Sequence, residues 1–344
     1  GATIHTNAIL IRPMSNDIDI AEAYRRQRVE AEAKKLDFAT MGREGFLNWA
    51  HSNRTKLLEL ARNNGSQNDE DAKEAVEQYI QLIASSPTLS NFDDLNHYLI
   101  LKGIIERIEK ICLTHSIPTH GGVVFGAFPG LDINAFQSRV LTTDCSIISV
   151  GYLFIPFCNQ LSKLMTETLR HIPYGDTLRV CNDPAVIRSQ FASQATLGAK
   201  WALFLTHFAA KTWPAIALPS ANFSTPEAVT RIHILQSIET FAIAHEYGHH
   251  VAKHGDFVSS DSVGDPHEIE IAADMFAHGI TMLHGDSGDV PNLYALSGAG
   301  AVMLLGTIEL TERVSRIIFA SRATLFGSQA HPLIDERIAA IAKL

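Results

Sequence analysis

Between about Ile18 and Leu113 apolar residues recur at three- and four-residue intervals, the spacing that lines one face of a helix. AEAYRRQRVEAEAKKL is charged and amphipathic, EGFLNWAHSNRTKLLELA carries the same period, and LNHYLILKGIIERIEKICL is the strongest helix of this stretch. Polar breaks at 63–71 (NNGSQNDED) and 85–94 (SSPTLSNFDD) divide it. After His120 the pattern changes. GGVVFGAF, SRVLTTD and SIISVGYLFI are short, rich in β-branched or aromatic residues, and bounded by glycine, proline and polar turns, so they read as strands. NQLSKLMTETLRHI returns to helix, and the chain from SQFASQATLGAKWALFLTHFAAKTW onward is mainly helical. The expectation is an α+β chain dominated by helix: an N-terminal helical region over 1–117, then a domain over 118–344 that combines a small mixed sheet with helices.

Composition narrows the function. A net charge of −9 gives no basic footprint for nucleic acid or an anionic membrane surface. Cys112, Cys145, Cys158 and Cys181 lie mostly in apolar surroundings without CxxC spacing, which points to thiols in a reducing compartment, and hence to the cytoplasm. GATIHTNAILIRPMSND has neither the basic start nor the long apolar run of a secretory signal. CSIISVGYLFIP is too short to span a bilayer. Val290–Ile308 is uncharged for 19 residues but is interrupted by Pro291, Asn292 and three glycines, so it reads as a buried core helix.

The chemistry concentrates in FAIAHEYGHHVAKHG, residues 241–255. STPEAV starts a helix, with Thr225 as cap, Pro226 in the first turn and Glu227 at the positive end, and Gly255 is a stop. On one helix from 226 to 254, His245 and His249 rise from the same face, and Glu246 sits one position round. This is HExxH: two imidazoles that suit zinc, and a carboxylate placed to act as a general base without being a ligand. His250 points about 100° away from His249. His254 falls one position short of the third histidine of HExxHxxGxxH, which here is Gly255, so both read as helix-end residues. HExxH also arises by chance, and a buried, hydrogen-bonded pair of histidines would look the same. A third ligand decides between them.

GDPHEIEIAADMFAHGI supplies a candidate. Asp265, Pro266 and Glu268 form a helix start, which gives Glu268 a structural task and leaves Glu270 free. Glu270 and Asp274 share a helical face, with small Ala272 and Ala273 between them allowing close helix approach. Glu270 can serve as the oxygen ligand, and Asp274, one turn on, can accept a hydrogen bond from a ligating imidazole and fix its tautomer. His267 and His278 have no place in this geometry.

HEYGH followed by EIAAD resembles the HExxH…ExxxD pattern of gluzincin metallopeptidases, most nearly the ExxAD form of HtpX-like and CAAX-prenyl-protease-like enzymes. HPLIDERIAAI (331–341) is similar to the HP…R segment of the same group. The resemblance covers about a hundred residues. It implies a zincin-like catalytic domain, zinc-dependent peptide-bond hydrolysis, His245, His249 and Glu270 as ligands, and Glu246 as base. Members of that group are usually integral membrane proteases with several spans, and the first hundred or so residues here match none of them. A soluble branch, such as the phage-exclusion Lit-like peptidases, fits better. The substrate class does not carry over.

The function expected is a soluble zinc endopeptidase acting on a protein or peptide. Glu246 takes a proton from water and passes it to the departing amine. His331, restrained by Pro332, is a candidate donor to the oxyanion or else a helix cap, and Arg337 braces either Asp274 or the substrate carboxylate. The resemblance also implies an edge strand as a rail for substrate, a part that GGVVFGAF suits better than the buried SIISVGYLFI. The alternatives are a catalytically silent zinc-site protein serving as a binding or regulatory module, and a membrane protease anchored through 290–308.

Overall fold

The computed structural model describes residues 15–37, 42–63, 68–85, 93–174, 177–181, 183–212, 225–253, 265–287, 290–319 and 334–342. Five helices come first: α1 (Ser15–Lys35), α2 (Gly42–Ser52), α3 (Arg54–Asn63), α4 (Asp69–Ser85) and α5 (Leu95–Thr114). Strands β1 (Val123–Phe128), β2 (Ala135–Arg139) and β3 (Ser146–Gly151) follow, then α6 (Phe154–Thr168), strands β4 (Arg170–Tyr174) and β5 (Thr177–Cys181), α7 (Pro184–Ser193) and α8 (Ala195–Ala209). The last stretch holds α9 (Thr225–Val251), α10 (Pro266–Asp286), α11 (Leu293–Leu296), α12 (Ala299–Ile318) and α13 (Ile334–Ile341). The chain is α+β and predominantly helical, with a small mixed sheet.

In that sheet β3 is central, parallel to β1 and antiparallel to β2, with Val123 opposite Ser146 and Ala135 opposite Val150. β3 is buried at every position, as a strand paired on both edges and covered on both faces must be. On one side α1 lays Ala21 and Ile18 against Val124, Val140 and Ile147. On the other, Ile148 and Val150 join the main core, built from α5, α6, α8, α9, α10 and α12. A smaller apolar cluster joins α2 and α4 to Leu95 at the start of α5, so α5 belongs to both cores. Arg25 of α1, 2% exposed, anchors this layer: its guanidinium donates to Asp93 at 2.7 and 3.0 Å and to Glu22 at 2.8 Å. Such charge-assisted forks hold a buried guanidinium where a single neutral bond would not.

Four local readings change. Only the first two residues of SRVLTTD are strand, at the end of β2, and the rest form a turn before β3. The strand in SIISVGYLFI ends at Gly151, and Phe154 already opens α6. The helix in NQLSKLMTETLRHI ends at Thr168, and Arg170 begins an antiparallel hairpin, β4–β5. Val290–Ile308 is two helices broken at Ser297–Gly298, and α12 buries Ala301, Leu304 and Leu305 in the core. No helix among the described residues is long and apolar enough to cross a membrane. The four cysteines are free, and all but Cys181 are buried.

The tightest pairing of elements for the site is α9 on α10. A Cβ on Gly248 would lie 3.1 Å from the Phe276 ring and 3.2 Å from the Ala273 Cα, so a larger residue would have to push the two helices apart by a few tenths of an ångström. Gly248→Val should therefore lose about 1–3 kcal/mol of stability, read from urea unfolding. An unchanged midpoint would contradict this packing.

Candidate metal centre

Thr225–Val251 is one uninterrupted helix, so the four-residue spacing of His245 and His249 does put both rings on one face. Their Nε2 atoms approach to 3.2 Å, with the ring planes nearly perpendicular. α10 begins where the sequence places it: Asp265 caps it by accepting from the His267 N–H, and Pro266 occupies the first turn. Packed against α9, it brings Glu270 to the pair, with one carboxylate oxygen 3.3 Å from His245 Nε2 and the other 3.5 Å from His249 Nε2. Among the described residues, His245, His249 and Glu270 form a mostly buried group whose donor atoms lie within 4.8 Å of one another and which can hold a metal ion.

Asp274 lies behind this group and is wholly buried. His245 Nδ1–H donates to its Oδ1 at 2.9 Å. A carboxylate can only accept here, so Nδ1 carries a proton and Nε2 faces the group, where a bound cation takes the place of the second proton. Arg337 of α13 donates to both Asp274 oxygens, Nε at 2.6 Å and Nη2 at 2.7 Å. Of the two tasks expected for Arg337, bracing Asp274 is the one the structure contains. Burial pushes the Asp274 carboxyl up, but Arg337 and His245 outweigh it and hold it below the usual range. Burial also opposes charge on His245, yet its bonds to Asp274 and Glu270 and the nearby Glu246 raise that ring to about 9. The pocket therefore favours a cation at the His245 Nε2 position.

Glu246, 9% exposed, lies on the sheet side of α9, near the Gln137 backbone amide. Burial raises its pKa, the Glu270 charge adds to this, and His245, the Gln137 N–H and Arg337 pull the other way. A carboxyl so placed exchanges a proton more readily near neutrality than one in water. The strand beside it corrects an expectation. GGVVFGAF is β1, on the far edge, and its Gly126 abuts the buried Arg25 guanidinium. SIISVG is the central β3. Among the described residues, the free edge at the site belongs to β2. Gly151 donates to the Asn134 carbonyl and Val140 to the Cys145 carbonyl, so alternation turns the backbone groups of 135, 137 and 139 outward.

Between β2 and α12 runs a cleft of about 470 Å³ that includes His245, Glu246, Glu270 and Arg337. Asn134 and Ala135 line one side, Phe154, Phe241, Leu305 and Ile308 form an apolar wall, and Glu309, Glu312 and Arg313 carry charge at the rim. The volume is that of an ordinary small-molecule or side-chain pocket.

His250 is not the charged helix-end residue its position suggests. It is 3% exposed, burial lowers its pKa, and both ring nitrogens are bonded, to Ser146 Oγ and to the Thr119 carbonyl, each at 2.9 Å. His278 is buried against Gly298 at the start of α12. His254 and the proposed donor His331 lie outside the described residues. Gln137 and Ser146 went unread in the sequence, because strand pairing brings them to α9 from more than 100 positions away and no local pattern marks them. Comparisons of the chain with family models, curated proteins and solved structures returned no match.

Two outcomes follow from this geometry. Asp274→Asn should weaken metal binding about 10- to 100-fold, since the ring loses its ionised partner; an unchanged affinity in chelator competition would contradict that role. A bound cation must also displace the His245 proton. Metal affinity should then climb with pH and level off above about 9, with about one proton released per ion at neutral pH, read by calorimetry in buffers of different ionisation enthalpy. In the metal-free protein the sign is opposite: the charged ring stabilises the fold at low pH, and that stability is lost as pH rises through about 9.

Proposed function

We propose that the protein is a zinc-dependent endopeptidase that cleaves a peptide bond in a protein or peptide substrate, with Glu246 as general base. The observation that carries this is a buried carboxyl of raised pKa beside, and not within, a two-histidine, one-glutamate donor set. The donor types, two imidazole nitrogens and one carboxylate oxygen gathered within 4.8 Å of one another, support zinc, which takes these ligands in catalytic sites. Three protein donors among the described residues, in place of four, fit a catalytic site better than a closed structural one. When bound, a zinc ion acidifies a water molecule and polarises a carbonyl.

The remaining work falls to the chain. Asp274, fixed by Arg337, keeps His245 Nε2 turned inward. Glu246 accepts the proton that the water gives up and returns it to the departing amine. Ala135, on the outward edge of β2 and in the cleft, is where an extended segment pairs by backbone hydrogen bonds, a mode that tolerates sequence. The apolar wall of Phe154, Phe241 and Ile308 takes a large apolar side chain of that segment. Buried, unpaired thiols support action in a reducing compartment such as the cytoplasm.

A catalytically silent metal module would have no use for a buried proton-exchanging carboxyl at this place. The test is Glu246→Gln, with bound metal measured by elemental analysis and cleavage measured on fluorescein-labelled casein and a quenched peptide library. The expected result is full metal content with cleavage reduced about 10²- to 10⁴-fold. Equal cleavage by both proteins would remove Glu246 as base, and metal in both with cleavage by neither would favour the silent module.

A further inference from the structure

We infer that Arg28 of α1 is a specificity-determining residue that selects an acidic side chain in the segment paired with β2, at the place opposite Ser138. The inference rests on the proposal that β2 is the substrate rail, and adds to it a reader on the other face of the sheet. Residues along β2 alternate between two faces. Ala135 and Gln137 pair with Val150 and Ile148, whose side chains join the main core. Phe136 and Ser138 pair with Ser149 and Ile147, and Ile147 packs with Ala21 of α1. Ser138 therefore faces α1. Arg28 meets it there: Nη1 donates to Ser138 Oγ at 2.8 Å, and the guanidinium lies over the Phe128 ring, 5.8 Å from its centroid. Phe128 in turn packs edge-on against Phe136 at 5.2 Å.

Arg28 differs from its neighbours in having no counter-charge. Arg25 and Arg26, on the same helix, are paired with Asp93 and Glu22. Arg28 is half-buried and, among the described residues, makes no ion pair; the Ser138 hydroxyl takes one of its five donors. The remaining fork matches a carboxylate. It is also held in place by Ser138 and by the rings of Phe128 and Tyr24, so little freedom is lost when it binds. An extended segment bonded to the outward groups of 135, 137 and 139 puts its residue opposite Ser138 on the α1 face, side chain beside side chain. An aspartate or glutamate there reaches the guanidinium. Antiparallel pairing is the more stable per residue, so the segment runs from Arg139 towards Ala135 and the metal centre. The acidic residue then stands three positions before the residue opposite Ala135, as 138 stands three from 135. An odd offset turns the two side chains to opposite faces. The acid meets Arg28, and its partner enters the cleft with the apolar wall. The substrate class is an extended segment with an acidic residue, two further residues, and then a large apolar one.

The test uses the full-length, zinc-loaded protein and quenched peptides that carry aspartate, glutamate, alanine or lysine at each position before a phenylalanine. Wild type should cleave the peptide with an acid three places before the phenylalanine about tenfold better, in kcat/KM, than its lysine counterpart. The difference should lie mostly in KM, since the contact forms before the chemical step. Arg28→Met keeps an apolar stem over Phe128 and should bring the ratio to about one. Arg28→Glu should invert it, and Arg28→Lys should keep its sign at smaller size. A merely structural role would lower all peptides alike and could not invert their order. Anisotropy of the same peptides, fluorescein-labelled, on zinc-loaded Glu246→Gln protein should give the same order without cleavage. Equal kcat/KM for acidic and lysine peptides in wild type, or an unchanged ratio in Arg28→Glu, would overturn the inference. If wild type cleaves no peptide while the binding order holds and inverts with Arg28→Glu, Arg28 stands as the reader and the hydrolase reading falls. A protein that sediments as a dimer and binds none of the peptides would give the β2 edge to a second copy and overturn the assignment.

Discussion

The buried carboxylate of Asp274 is the contact through which the rest of the site is organised. It receives the imidazole of His245 from one helix and the fork of Arg337 from another, so three segments far apart in the chain are oriented about two oxygen atoms. An ion pair with one member fully buried is costly to break, at about 3–5 kcal/mol when a partner is removed. That cost is what lets a small group dictate geometry: α13 cannot move off α10 without exposing the charge, and the His245 ring cannot turn without losing its partner. The inward Nε2 of His245 is the consequence that matters for chemistry.

Against that fixed side stands a second, made of uncharged hydrogen bonds. Gln137, Ser146 and His250 link α9 to β2 and β3. The pair of arrangements divides the labour by physical type. Ionised groups gather behind the two histidines and Glu270, where they favour a cation, and neutral hydrogen bonds tie the last turn of α9 to the sheet on the other side. The same helix serves both because residues 245, 246, 249 and 250 fan out around it.

Much of this was legible in the residues. Helical spacing alone set His245 with His249 and Glu270 with Asp274, because both pairs lie on long helices whose caps, Asp265 with Pro266 in particular, can be read locally. The spacing could not show which face of α10 met which face of α9; small residues at Gly248, Ala272 and Ala273 only allowed it. Strand identity was harder. GGVVFGAF looked like a rail because of its glycines, yet Gly126 makes room for Arg25, and the short AFQSR, with no strong alternation, is the strand at the cleft. His250 shows the same limit. Its angle on the helix ruled it out as a ligand, but what it meets comes from β3, 104 positions earlier.

The account predicts a particular ion environment, and X-ray absorption at the zinc edge of the protein as purified measures it directly. The prediction is one zinc per chain with four nitrogen or oxygen neighbours at about 2.0–2.1 Å, two of them giving the multiple-scattering signature of imidazole. A protein without metal after zinc supplementation, or a six-coordinate ion lacking imidazole scattering, would contradict it.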